Sequence, residues 1–156
     1  MNRMSRIEVF AQGIPLPGWT GGLEAFAGRV LEILNKDNWD LPIALCNNDY
    51  IRRLNAQYRD REEPTDILSF SLGETLEEED GTTWYLPGDI VISLETLEEN
   101  AGYFQVSPDE ELRRLVIHGI LHLDGMDHQG NETDEPMLAL QERLLSSLAG
   151  ERILPP

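Results

Sequence analysis

The sequence predicts an α/β (α+β) fold, a small mixed sheet covered by helices. Three observations lead there: short β-branched runs of strand length, longer segments of helical period between them, and cap or breaker residues where the two meet. At 156 residues, 40% of them hydrophobic, the chain has the material for one buried core, so residues 1–156 are expected to form a single domain. No internal repeat or dividing linker interrupts it.

The elements follow in order. Ile7 to Ala11 alternates apolar and polar side chains as a half-buried strand does, and the Gly- and Pro-rich Gln12 to Gly22 reads as loop. A helix is expected from about Leu23 to Leu34. Leu41 to Cys46 is an apolar run suited to a buried strand, after which Asn47 or Asn48 caps a helix carrying Ile51, Leu54 and Tyr58, with Arg59 at its end. Ile67 to Ser71 and Asp89 to Ser93 are further strands. Between them, the carboxylates of Glu74 to Gly81 repel one another and have little to bury, which predicts an exposed loop or mobile hairpin. Leu94 to Tyr103 has helical composition. Ser107 then opens a helix with a cap, Pro108 at the first position and Glu110 completing a capping box, while Asp109 and Glu111 favour the positive end of its dipole. That helix runs to about Leu123 and stops before Gly125; a last one spans about Asp134 to Ala149, with Gly150 beyond it.

Charge narrows the function classes. The formal net charge is −17, whereas proteins that bind nucleic acid normally present a basic face. The charge is uneven: residues 1–61 hold eight Lys or Arg against seven Asp or Glu, and residues 62–156 hold four against twenty-two. Arg52, Arg53, Arg59 and Arg61 supply a third of the basic groups, either as a solvated helix face or as a local phosphate contact. Cys46, the single cysteine, makes no internal disulfide or thiolate pair, so any metal must be held by nitrogen or oxygen. No apolar run of membrane-spanning or signal-peptide length is present, which points to a cytoplasmic protein with no membrane partner.

Every histidine falls within His118-Gly119-Ile120-Leu121-His122-Leu123-Asp124-Gly125-Met126-Asp127-His128. Positions i and i+4 share a helix face, so His118 and His122 reach one ion together, and a turn at Gly125 brings in His128. Three neutral imidazoles leave a tetrahedral zinc one ligand short, the arrangement of a catalytic site; the plain alternative is three ordinary histidines on an amphipathic helix. The spacing is also that of a large group of zinc proteases, in which a glutamate follows the first histidine as general base, but Gly119 stands there and accepts no proton. Asp124 and Asp127 are candidates to hold the far ring nitrogen of a ligand histidine, or else to cap a helix end or turn.

With these residues in view, the chain closely resembles the bacterial YbeY family of metal-dependent endoribonucleases, described as rRNA maturation factors. The likeness runs from about Leu41 onward through Leu54-Asn55-Ala56-Gln57-Tyr58-Arg59, Pro64-Thr65-Asp66-Ile67-Leu68-Ser69-Phe70, Gly88-Asp89-Ile90-Val91-Ile92-Ser93 and the histidine segment. Met126 departs from the aromatic residue usual before Asp-His. The resemblance implies one zinc ion, or another divalent transition metal, on His118, His122 and His128, and a functional arginine at Arg59. It also implies action on ribosomal RNA, notably the 16S 3′ end, a part in ribosome quality control, and ribosomal protein partners. Metal-assisted phosphodiester hydrolysis follows, with Arg59 on the phosphate and His118 among the catalytic groups. A narrow positive cleft around Arg59 is expected on an otherwise acidic body. Two rival readings keep the ion: a zinc hydrolase of a peptide or small molecule, and a non-catalytic ribosome-assembly factor. Trp19, Trp39 and Trp84 suit packing as well as base stacking.

Overall fold

Leu41, Ile43 and Leu45 project from one face of their strand and Ala44 and Cys46 from the other, so that strand needs cover on both sides. The computed structural model describes residues 4–128, 130 and 135–156, and supplies that cover with helices on each face. Strand β1 is Arg6–Gln12, β2 Asp40–Cys46, β3 Ile67–Glu77 and β4 Thr83–Ser93; the helices are α1 Thr20–Ile33, α2 Asn48–Arg59, α3 Leu94–Phe104, α4 Pro108–Leu123 and α5 Pro136–Ser147. The sheet order is β1-β2-β4-β3, with β1, β2 and β4 parallel and β3 antiparallel at the edge.

One face carries the main core. Leu41, Ile43, Leu45, Ile90 and Ile92 meet Leu23, Phe26, Val30 and Leu31 of α1, Leu112, Val116, Ile120 and Leu121 of α4, and Met137, Leu144 and Leu145 of α5. The other face holds a smaller cluster of Cys46, Ile51, Leu68 and Val91 beneath α2. Successive residues of β3 therefore serve different faces: Ile67 packs against the main core and Leu68 joins the cluster under α2. This placement lets groups from α2 and α4 meet at the β3 edge.

The expected elements are all present, and the ends differ in informative ways. Asn47 Oδ1 caps α2 by accepting from the Tyr50 amide at 2.9 Å, and Ser107 Oγ caps α4 by accepting from the Glu110 amide at 3.0 Å. Of the two alternatives for the acidic stretch, the hairpin is realised: Glu74 pairs with Leu86 and Glu77 with Thr83, so β3 and β4 each run well beyond the apolar residues that announced them. Solvent and Arg6 make this tolerable, since Arg6 Nη2 lies 2.8 Å from Glu78 and 3.0 Å from Asp40, its guanidinium 4.0 Å over Trp84. The start expected for the last helix, Asp134, lies outside the described residues. Trp39 is buried beside Tyr85 and Trp19 packs on the main core, so these two indoles serve packing. Among the described residues no helix is long and apolar enough to cross a membrane.

Candidate metal centre

Helix α4 continues for 16 residues, long enough to set His118 and His122 one turn apart on a single face. Their Nε2 atoms are 3.0 Å apart. After Leu123 the chain reverses at Gly125, whose φ of +92° few side-chain-bearing residues adopt, and His128 swings back to place its ring centroid 5.3 Å from His118 and 5.8 Å from His122. One ligand atom from each of the three rings lies within 4.8 Å of the other two, as the sequence spacing predicts.

The donor set fits a divalent ion. Two nitrogens bound to a tetrahedral zinc at 2.0–2.1 Å sit about 3.3 Å apart, close to the separation of the His118 and His122 pair. A ligand imidazole must also turn a lone pair inward, which requires its proton to point outward to an acceptor. His118 Nδ1 lies 2.6 Å from Gln141 Oε1, His128 Nδ1 lies 2.7 Å from the Gly130 carbonyl, and the Met126 backbone hydrogen-bonds His122. Burial, ahead of any charge, holds His118 and His122 below the usual imidazole value, so both are poised as neutral ligands.

The two aspartates of the motif do other work. Asp124 pairs with Lys36 at 2.8 Å, and Asp127 Oδ1 accepts from the His128 amide at 2.8 Å, shaping the turn. The His118 and His128 contacts fall instead to Gln141 on α5 and to the Gly130 backbone, neither of which the motif pointed to. A backbone carbonyl leaves no mark in composition, and Gln141 lies 23 residues from the ring it holds. Gly119 gains a structural reason: a Cβ there would come within 2.9 Å of Ile90 Cδ1 and 3.1 Å of Ile67 Cδ1. The side chain at this position faces the sheet, so a glutamate there would enter the core.

Arg59 arrives from the opposite side of the sheet. It ends α2, where Asp60 adopts a left-handed φ of 58° and the buried Asn55 ties down the following loop by donating to the Glu63 carbonyl at 2.9 Å. Arg59 Nη2 then donates to the Ser69 carbonyl at 2.7 Å, and its guanidinium lies 5.5 Å from the centre of the Phe70 ring. Together with Ser69, Ser71, His118, His122, Met126 and Asp127 it lines a cleft of about 560 Å³. Arg52 pairs with Asp49 and Arg61 with Glu63, so of these arginines it is Arg59 that lines the cleft. Among the residues lining the cleft, Arg59 is the basic side chain and Asp127 the acidic one.

Three of the four sequence motifs thus line this cleft, while the fourth, Gly88 to Ser93, pairs with the β3 strand that forms its edge. The family model for "Endoribonuclease YbeY" matches residues 21–149. The chain belongs to the YbeY family. Proteins named Endoribonuclease YbeY from Treponema denticola and Treponema pallidum are 50% and 44% identical to it, covering 79% and 94% of this chain and 79% and 91% of their own. The relative from Borrelia hermsii is 39% identical over 89% of this chain and 92% of its own. A solution structure of a Thermotoga maritima protein superposes with a TM-score of 0.58 at 30% identity, covering 93% of this chain and 90% of the other.

Proposed function

We propose that this protein is a metal-dependent endoribonuclease that cleaves phosphodiester bonds in ribosomal RNA, acting in the cytoplasm as a single domain in maturation of the 16S 3′ end and in ribosome quality control. The observation that carries the reading is the approach of Arg59 to a three-histidine cluster from the opposite side of the sheet. His118, His122 and His128 would hold one ion, zinc or another divalent transition metal. Such an ion supplies Lewis acidity and a bound water of lowered pKa, about 7 for zinc.

The chain's own groups do the rest. The Arg59 guanidinium offers parallel N–H donors to a phosphodiester and stabilises charge that builds on its oxygens. His118 would act as a ligand, through the ion it would hold with His122 and His128. The attraction for a polyanion would come from Arg59 together with an ion held by the three histidines, a local patch on a body of net charge −17. A ribosomal protein partner would add affinity that so acidic a surface lacks.

Gly119 argues against the peptidase alternative, since the position that would carry a general base is packed against Ile90 and Ile67. The test is cleavage of a ribosomal RNA fragment by wild type, Arg59→Ala and His118→Ala, with and without chelator. We expect cleavage only by the metal-loaded wild type at full rate. Cleavage indifferent to chelator and to both substitutions would falsify the reading, and metal binding without any cleavage would favour the non-catalytic assembly factor.

A further inference from the structure

Gln141 is buried, at 6% exposure, on a helix that contributes no ligand, yet its amide oxygen makes the 2.6 Å contact with His118 Nδ1. An amide can face either way, and a neighbour decides which. Gln141 Nε2 donates to Glu142 Oε2 at 3.1 Å, and a carboxylate only accepts, so the amide oxygen must face the imidazole. The Glu142 carboxylate is fixed in turn by a two-pronged contact from Arg114, Nε to Oε2 at 3.0 Å and Nη2 to Oε1 at 3.1 Å. Arg114 is on α4, one turn before His118, so the chain of contacts leaves α4, crosses to α5 and returns to the metal-facing ring.

We propose that Gln141 is the positioning residue of this metal centre, selecting the His118 tautomer with its proton on Nδ1 and its lone pair on Nε2, with Glu142 and Arg114 setting the direction of the amide. Three features favour this over simple core packing. Every donor in this chain of contacts meets an acceptor: the ring N–H donates to the amide oxygen, the amide N–H to the carboxylate, and the guanidinium to the same carboxylate from the other side. The ring atom held is the one remote from His122, whose Nε2 faces His118 Nε2. The neutral amide orients the ring without adding negative charge beside the cation, leaving more of its charge for an anionic substrate; a carboxylate here would make His118 a more basic ligand and the ion a weaker electrophile.

The inference rests on the three-histidine reading, and the test separates the two. Zinc affinity of the whole protein is measured by chelator competition, beside thermal melting of the metal-free forms and the imidazole ¹⁵N shifts of His118. Gln141→Leu keeps the volume and removes the acceptor; we expect a folded protein whose zinc affinity falls by about 10–100-fold, the usual loss on deleting an outer hydrogen-bond partner. Gln141→Glu should restore or exceed wild-type affinity, and ¹⁵N shifts should report Nδ1–H in wild type and a mixture of tautomers in Gln141→Leu. Glu142→Gln, which frees the amide to turn, should fall between. Wild-type affinity and tautomer in Gln141→Leu would overturn the positioning role and leave the metal site standing. Absence of zinc binding in wild type would instead remove the three-histidine reading itself. If Gln141→Leu melts well below wild type without metal, Glu142→Gln and Gln141→Glu decide: wild-type affinity in Glu142→Gln, or affinity well below wild type in Gln141→Glu, overturns the proposal.

Discussion

The Arg59 guanidinium donates to the carbonyl of Ser69 at 2.7 Å, and this bond carries the C-terminal end of α2 onto the β3 edge beside the histidines. A guanidinium has five N–H donors, so one spent on Ser69 leaves others for a phosphate. Removing a donor aimed at developing charge commonly costs about 10²–10³ in rate. We therefore expect Arg59→Ala to lose cleavage by about that factor while retaining metal, and Arg59→Lys, with charge but no planar fork, to recover only part. The check is single-turnover cleavage beside metal content; loss of metal in Arg59→Ala would mean that the residue supports the fold.

Metal binding should stabilise the folded chain. A ligand at 100 times its Kd adds about 2.7 kcal/mol, so zinc should raise the Tm of wild type by several degrees and leave His122→Ala and His128→Ala almost unmoved. Equal shifts in all three would sink the three-histidine assignment.

Much of this site was legible because its signals are local. The i, i+4 histidines, the breaker at Gly125 and the capping of α4 by Ser107 all lie within one stretch of chain, and the structure realises each. What was not legible depended on contacts between distant segments. Gln141 reads as an ordinary polar residue of an amphipathic helix until α5 packs on α4. Asp124 looks like a partner for a ring until Lys36 is brought beside it. Sequence alone does not separate a hairpin through Glu74 and Glu77 from a loop, since ladder pairing with Thr83 to Leu86 is invisible to a count of charges.

The metal-free protein should lose stability on mild acidification. His118 and His122 both have folded-state values held below 6.5, chiefly by burial. Above that value neither state carries the proton. As pH falls below it, the unfolded chain takes up protons that the folded chain refuses, and stability drops until the depressed folded values are passed. Glu111 has the opposite sign, since burial raises its folded value above 4.5 and it gains stability as pH falls through that raised value. Asp109, lowered below 3.8 with hydrogen bonds from the Ile153 and Leu154 amides and Arg113, acts only at still lower pH. Chelator-treated wild type should therefore melt at lower temperature at about pH 5 than at about pH 7, with a smaller difference in His118→Leu. Parallel profiles would show that these imidazoles do not titrate as their burial dictates.

Gly88 supports the β3 edge to which Arg59 is tied. Its φ is +135°, and a Cβ built there would stand 2.0 Å from the Phe70 carbonyl oxygen, next to the register shift between Ser71 and Glu74. Backbone, and not a flexible side-chain end, is what such a Cβ meets, so the strand must move. Strain in this region of φ costs about 1–3 kcal/mol before the clash is counted. Gly88→Ala should thus lower the Tm by roughly 6–12 °C, taking at least about 3 kcal/mol and about 2–4 °C for each. It should also slow cleavage, because Ser69 and the arginine it receives shift with Phe70. Gly102→Ala provides the contrast: it lies on α3 with open space at its Cβ, and alanine there should stabilise by about 0.5–1 kcal/mol. Melting both variants beside wild type distinguishes a positional demand at Gly88 from a general effect of adding a methyl group, and a Gly88→Ala protein as stable and active as wild type would remove this strand contact from the account of the site.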